Sequence, residues 1–202
     1  MSDSIVVQDS GNQPVAFTQA ELGWLPWLEP LAEAELTERH WVALVDRSRA
    51  KSDYFRLLAR DPEILEARTK TDKDIFYNTA DGLPRAEREL AAAATSRHNG
   101  CIYCASVHAR FATVHSKRRD DVQRLLDQGV GADLGARWNA VVKASVALAA
   151  TPIAFGEPHV EELRRVGLDD GEIVDVINSA AFFNWANRLM LSLGEPTTAV
   201  GK

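Results

Sequence analysis

Residues 85–98, RAERELAAAATSRH, run into Asn99-Gly100, and a second helical pattern starts directly behind them. No other stretch constrains the fold as tightly. Pro84 suits a helix start, and Glu87 and Glu89 fall in the first turns, where the helix dipole favours negative charge. The run Ala91 to Ala94 combines high helix propensity with a smooth surface against which another helix can pack closely. Asn-Gly ends such a helix. Asn99 is expected to N-cap the next one, which continues to about Lys117. The two helices should therefore fold back on each other as a close hairpin.

The rest of the chain reads as helix too. Asp61-Pro62 is a start signal for a helix reaching about Asn78. Shorter helices are expected from about Thr37, with Trp41, Leu44 and Val45 on one face, and around Tyr54 to Leu58. Further helices are expected over 120–128, 137–150 and 157–166. Another starts at Asp169 or Asp170 and is apolar nearly all round, as a buried or interface helix would be. Trp24 and Trp27 read as apolar anchors among the turns set by Pro26 and Pro30. β-branched residues never alternate over a useful length, so no strand is expected. The predicted class is all-α: a mobile arm over residues 1–16, then a single helical domain over 17–202. That domain divides into an N-terminal extension (17–60) and a core (61–195).

Composition narrows the function. The net charge is −6, which argues against a nucleic-acid binder. No apolar stretch is long enough to span a bilayer, and the first residues lack a secretory pattern. The expected location is the cytoplasm, where thiols are kept reduced. Only two cysteines occur, Cys101 and Cys104. A bond between them closes too short a loop to restrain the unfolded chain much, so their expected role is chemical.

On a helix starting at Asn99, Cys101, Cys104 and His108 share one face at i, i+3 and i+7. Both thiols then lie near the helix N-terminus, where free backbone N–H groups favour a thiolate. A thiolate is the nucleophile in disulfide exchange and in attack on peroxide, and a second thiol in reach resolves the sulfenic acid. The hairpin sets Glu89 opposite the neighbourhood of His108, where a carboxylate can orient the imidazole. Two other readings of the cysteines stand beside this one: small buried side chains, or metal ligands with His108. Against the metal reading, His115 is too far along the helix to join the same site.

The stretch Glu87 to His108, ERELAAAATSRHNGCIYCASVH, resembles the alkylhydroperoxidase D-like branch of the carboxymuconolactone decarboxylase superfamily. That pattern is a Glu, a CxxC pair twelve residues on, and a His four residues past the second Cys. INSAAFFNWANRL is similar to the family's second signature helix. The likeness covers roughly residues 50 to 195 and is closest to the peroxidase-related subgroup with an N-terminal extension. It implies a helical fold assembling as a homotrimer or homohexamer. It also implies a peroxidase or disulfide reductase cycle on small hydroperoxides, fed by a thiol or protein reductant, without metal, haem or flavin. By the resemblance, Cys104 attacks the peroxide, Cys101 resolves it, and Glu89 and His108 relay the proton. Where well-studied members carry a second histidine between the cysteines, this chain has Tyr103. A redox-sensing or binding oligomer with little turnover, and a decarboxylase like the namesake, are the alternatives. Asn184, Asn187 and Arg188 are expected either to cap the pocket or to pair across a subunit interface.

Overall fold

The structure, a computed structural model, describes residues 13–78 and 80–198; most of the expected N-terminal arm, residues 1–12, lies outside these. Nine α-helices fill the described residues. They are α1 (Glu38–Leu44), α2 (Asp53–Leu58), α3 (Pro62–Tyr77), α4 (Arg85–His98), α5 (Ile102–Ser116), α6 (Arg119–Gln128), α7 (Ala136–Ala149), α8 (Glu157–Arg165) and α9 (Asp170–Leu193). The caps follow the sequence signals. The Asp61 carboxylate accepts from Ile64 N–H ahead of Pro62, and Asp169 accepts from Glu172 N–H. At α1, Val45 is a cap residue at φ 64° with much of its side chain in solvent, so it does not share the buried face of Leu44.

α4 is the central element and packs on α5, α7 and α9. Ala91, Ala92, Ala93 and Ala94 are all wholly buried, so neighbours close on this helix from several sides without a gap. The main core gathers Leu90, Val122, Leu125, Val141 and Leu163 around it. A second apolar cluster holds Tyr54, Phe76, Phe183, Ala186 and Met190 together with both cysteines. A third, formed by Leu36, Leu44, Ala59 and Leu65, is the small core of the N-terminal extension against α3. α9 is buried on one side through Ile173, Val176, Ala180, Phe183 and Asn187, while Val174, Trp185 and Leu191 face outward.

Two expectations are corrected. The chain is not purely helical: β1 (Leu22–Pro26) pairs antiparallel with β2 (Gly194–Thr198), with Trp24 opposite Pro196 and Pro26 opposite Gly194. Neither segment alternates in hydrophobicity. The ladder exists because α9 delivers the end of the chain beside the N-terminal extension, where the two backbones satisfy each other's polar groups. Gly194 permits the close approach, since a Cβ there would lie 2.4 Å from both the Leu25 carbonyl oxygen and the Trp24 ring. Trp24 then packs edge-on against Tyr54 at 5.4 Å, whereas Trp27 is half exposed.

The second correction concerns Asn99. It is the C-cap of α4, Gly100 makes the turn at φ 79°, and the N-cap of α5 is Cys101 itself. The Asn99 side chain is drawn away by tertiary partners: its Nδ2 donates to Asn184 Oδ1 and Asn187 Oδ1, both at 3.0 Å.

Candidate active site

The α4–α5 hairpin brings together the four residues singled out from the sequence. Glu89, buried in the middle of α4, places Oε2 2.6 Å from Nδ1 of His108 on α5. Its other oxygen, Oε1, accepts from Arg85 Nε at 3.1 Å, one turn earlier on the same helix. The carboxylate can only accept, so Nδ1 carries a hydrogen, and in the neutral imidazole the Nε2 lone pair is then the free proton acceptor. The ring is clamped by Phe183 at 3.9 Å and Phe76 at 5.2 Å between centroids. A carboxylate and two aromatic rings from three helices, α4, α3 and α9, thus fix one orientation of the imidazole.

His108 and Glu89 line a cavity of about 170 Å³ with Cys104, Tyr54, Arg68, Tyr103 and Phe183. Cys101 does not reach the cavity wall. It sits behind Cys104, at the α5 N-cap, near the amide of Asn187. Both sulfurs are buried and unbonded to each other.

Acidity divides between them. A hydrogen bond from the Cys104 thiol, opposed by burial, holds the Cys101 thiol below its ordinary range; N–H groups of Cys104 and Tyr103 and the Asn187 amide add to this. Cys104 is pushed well above its ordinary range, first by giving that hydrogen bond to Cys101, then by burial, while Asn187 and Arg68 pull the other way. The pair therefore shares its first proton loss, with the charge resting on the sulfur at the helix N-terminus and the accessible sulfur keeping its proton. Burial also raises the Tyr54 and Tyr103 phenols, so both face the cavity as neutral hydroxyls.

Sequence reasoning pointed to α9 but missed the contacts its amides make. Asn187 is wholly buried, accepts from Asn99 and donates to Ser96 Oγ at 3.0 Å, tying the α4–α5 turn and the cysteine pair to α9. Within the chain, Asn184 and Asn187 support the turn beneath the cysteines, a role beyond the two expected for them. The available signal was a run of amides on an otherwise apolar helix, which only makes sense with buried polar partners. Among the described residues no group of three or more His, Cys, Asp or Glu is placed to hold a metal ion.

Residues 62–147 match the sequence model of the carboxymuconolactone decarboxylase family, a span that contains Glu89, Cys101, Cys104 and His108. The match covers 86 of the chain's 202 residues. Solved structures share the fold. A peroxidase-related protein from Ralstonia eutropha JMP134, with the alkylhydroperoxidase AhpD core, superposes with a TM-score of 0.71 at 23% identity, covering 86% of this chain and 92% of that one. A peroxidase-related protein from Silicibacter sp. TM1040 gives the same score and identity over 85% and 92%. The debrominase Bmp8 follows at 0.66 and 18%, over 82% and 89%. No curated protein matches the chain. The family match ends within α7, so α9, which supplies Phe183 and Asn187 to the site, lies beyond it.

Proposed function

We propose that this protein is a member of the carboxymuconolactone decarboxylase superfamily and a thiol peroxidase that reduces small hydroperoxides through a Cys101–Cys104 dithiol/disulfide cycle. One observation supports it above the others: the sulfur exposed to the cavity, Cys104, shares that cavity with a histidine whose far nitrogen is locked to a buried carboxylate. Cys104 gives its proton to His108 Nε2 and attacks the peroxide. An S–O bond forms, the O–O bond breaks, and the leaving alkoxide takes the proton back from His108 to depart as alcohol. Cys101, already biased toward thiolate, attacks the sulfenic sulfur and expels hydroxide, which leaves as water with the second proton. The balance is one hydroperoxide and two thiols giving one alcohol, one water and one disulfide; an external dithiol or protein reductant restores the pair.

Peroxide treatment of the reduced protein should yield the intramolecular disulfide by mass spectrometry, and Cys104→Ser should abolish turnover. Unchanged turnover in that variant would sink the reading. Among the described residues no helix is long and apolar enough to cross a membrane, and the reducing cytoplasm is the proposed compartment. Assembly as a trimer or hexamer belongs to the same proposal and is tested by light scattering. The held proton on Cys104 favours a second reading, a slow redox sensor. Sustained turnover with a supplied dithiol separates the two.

A further inference from the structure

Arg68 is the one side chain of the cavity wall whose polar atoms are buried without a hydrogen-bond partner among the described residues. It lies on α3, more than nine-tenths buried, and neither its Nε nor its Nη1 makes a hydrogen bond. Its nearest countercharge, Asp72 Oδ2, stands 3.4 Å from Nη1 and is shared with Arg49 Nη2 at 3.6 Å. One carboxylate thus serves two guanidiniums, each at a distance too long for a good charge-assisted bond. Ring centroids of Phe55 and Phe182 lie 5.4 and 5.3 Å from the Arg68 carbon, so aromatic rings lie on two sides of the charge. The other charges of the wall are matched: Arg85 and Glu89 pair with each other, and Glu89 also holds His108. Arg49, Arg68 and Asp72 together carry one positive charge in excess, and Arg68 is the one of the two guanidiniums that lines the cavity. A buried charge in that state is costly unless something fills its bonds.

We propose that Arg68 is the carboxylate-binding group of the Cys104 cavity, so that the substrate is a compact organic acid carrying its hydroperoxide a few bonds from the carboxylate. This rests on the peroxidase reading for the reacting group but not for the binding group. A carboxylate in the cavity would supply the guanidinium with the close countercharge that Asp72 does not. The size of the cavity limits the rest of the molecule. At about 170 Å³ it resembles cavities that admit a benzene ring, which allows on the order of ten non-hydrogen atoms. A long-chain lipid peroxide would have to extend out through the cavity mouth. The apolar part of such an acid would lie against Phe76, Phe183 and Met190, with the peroxide at Cys104 and His108.

The test compares two peroxides of equal size in single-turnover oxidation of the reduced full chain. One is 3-hydroperoxy-3-methylbutanoate; the other is its neutral isostere, 2-hydroperoxy-2,4-dimethylpentane. The wild type should form the disulfide on the order of tenfold faster with the acid, as expected for a charge-assisted contact. In Arg68→Met the ratio of the two rates should fall to near one, and in Arg68→Lys to an intermediate value. The ratio cancels any loss of folded protein and any change in thiol acidity, which a merely structural role of Arg68 would produce. A wild-type ratio near one overturns the proposal. A second measurement uses no turnover: 3-hydroxy-3-methylbutanoate should slow alkylation of Cys104 by iodoacetamide in wild type and not in Arg68→Met. Protection without any peroxide-driven disulfide would uphold the carboxylate site and overturn the peroxidase reading. Disulfide formation without protection and without preference would do the reverse.

Discussion

Replacing Glu89 by Gln isolates the proton relay from the rest of the fold. The side chain is 1% exposed and makes two charge-assisted contacts, 2.6 Å to His108 and 3.1 Å to Arg85. Gln keeps the shape but has a single acceptor oxygen, so its NH₂ must face either the Nδ1–H of His108 or the N–H of Arg85, donor against donor. Losing one buried charge-assisted bond costs about 1.5–3 kcal/mol, and breaking a buried ion pair costs about 3–5 kcal/mol. About 3 kcal/mol is the expected loss, equivalent to a fall in Tm of about 6–12 °C for a domain of this size. The chemical effect is separate. With its partner gone, His108 no longer holds the Nδ1 tautomer, and single-turnover disulfide formation should slow by about 10²–10⁴-fold. Glu89→Gln, His108→Gln and the double variant form a cycle measured by stopped-flow mixing with peroxide. If Glu89 acts through His108, the double variant is hardly slower than His108→Gln alone. Rates within threefold of wild type for Glu89→Gln, or strictly additive losses, would refute the relay and leave Glu89 a structural ion-pair partner.

Thiolate absorbance near 240 nm should show two separated steps in the reduced protein, one below the ordinary thiol value of about 8.5 and one well above it. Cys101→Ser removes the chief cause of the raised Cys104 value, so the remaining thiol should titrate lower than the upper wild-type step yet stay above ordinary because it is buried; one merged step near 8.5 in wild type would contradict the assignment. Gly194→Ala would drive a Cβ into the Leu25 carbonyl and the Trp24 ring. The expected cost is about 1–3 kcal/mol, with faster amide exchange across residues 22–26; Gly100→Ala, with open space around it, should cost only about 1–2 kcal/mol of backbone strain and leave that exchange unchanged. Equal exchange in both variants would show that the ladder does not depend on the close approach.

Local chemistry made much of this protein legible in its sequence. Helix starts at Asp61-Pro62 and Asp169, the stop at Asn99-Gly100 and the Ala91–Ala94 surface are each set by neighbours within a turn or two, so they are written in short stretches of chain. The pairing of Glu89 with His108 was legible for the same reason, because a two-residue reversal between stiff helices fixes which positions face each other. The β1–β2 ladder was not, since its register depends on where a 24-residue helix delivers the chain end. Nor were the separate environments of the two sulfurs, although the family resemblance assigns them different roles. Spacing alone makes Cys101 and Cys104 equivalent candidates; only the packing of α9 and α3 around them puts one against Asn187 and the helix N-terminus and the other at a cavity wall beside Arg68. Burial and electrostatic environment are sums over residues distant in sequence, and those sums exist only once the helices have closed.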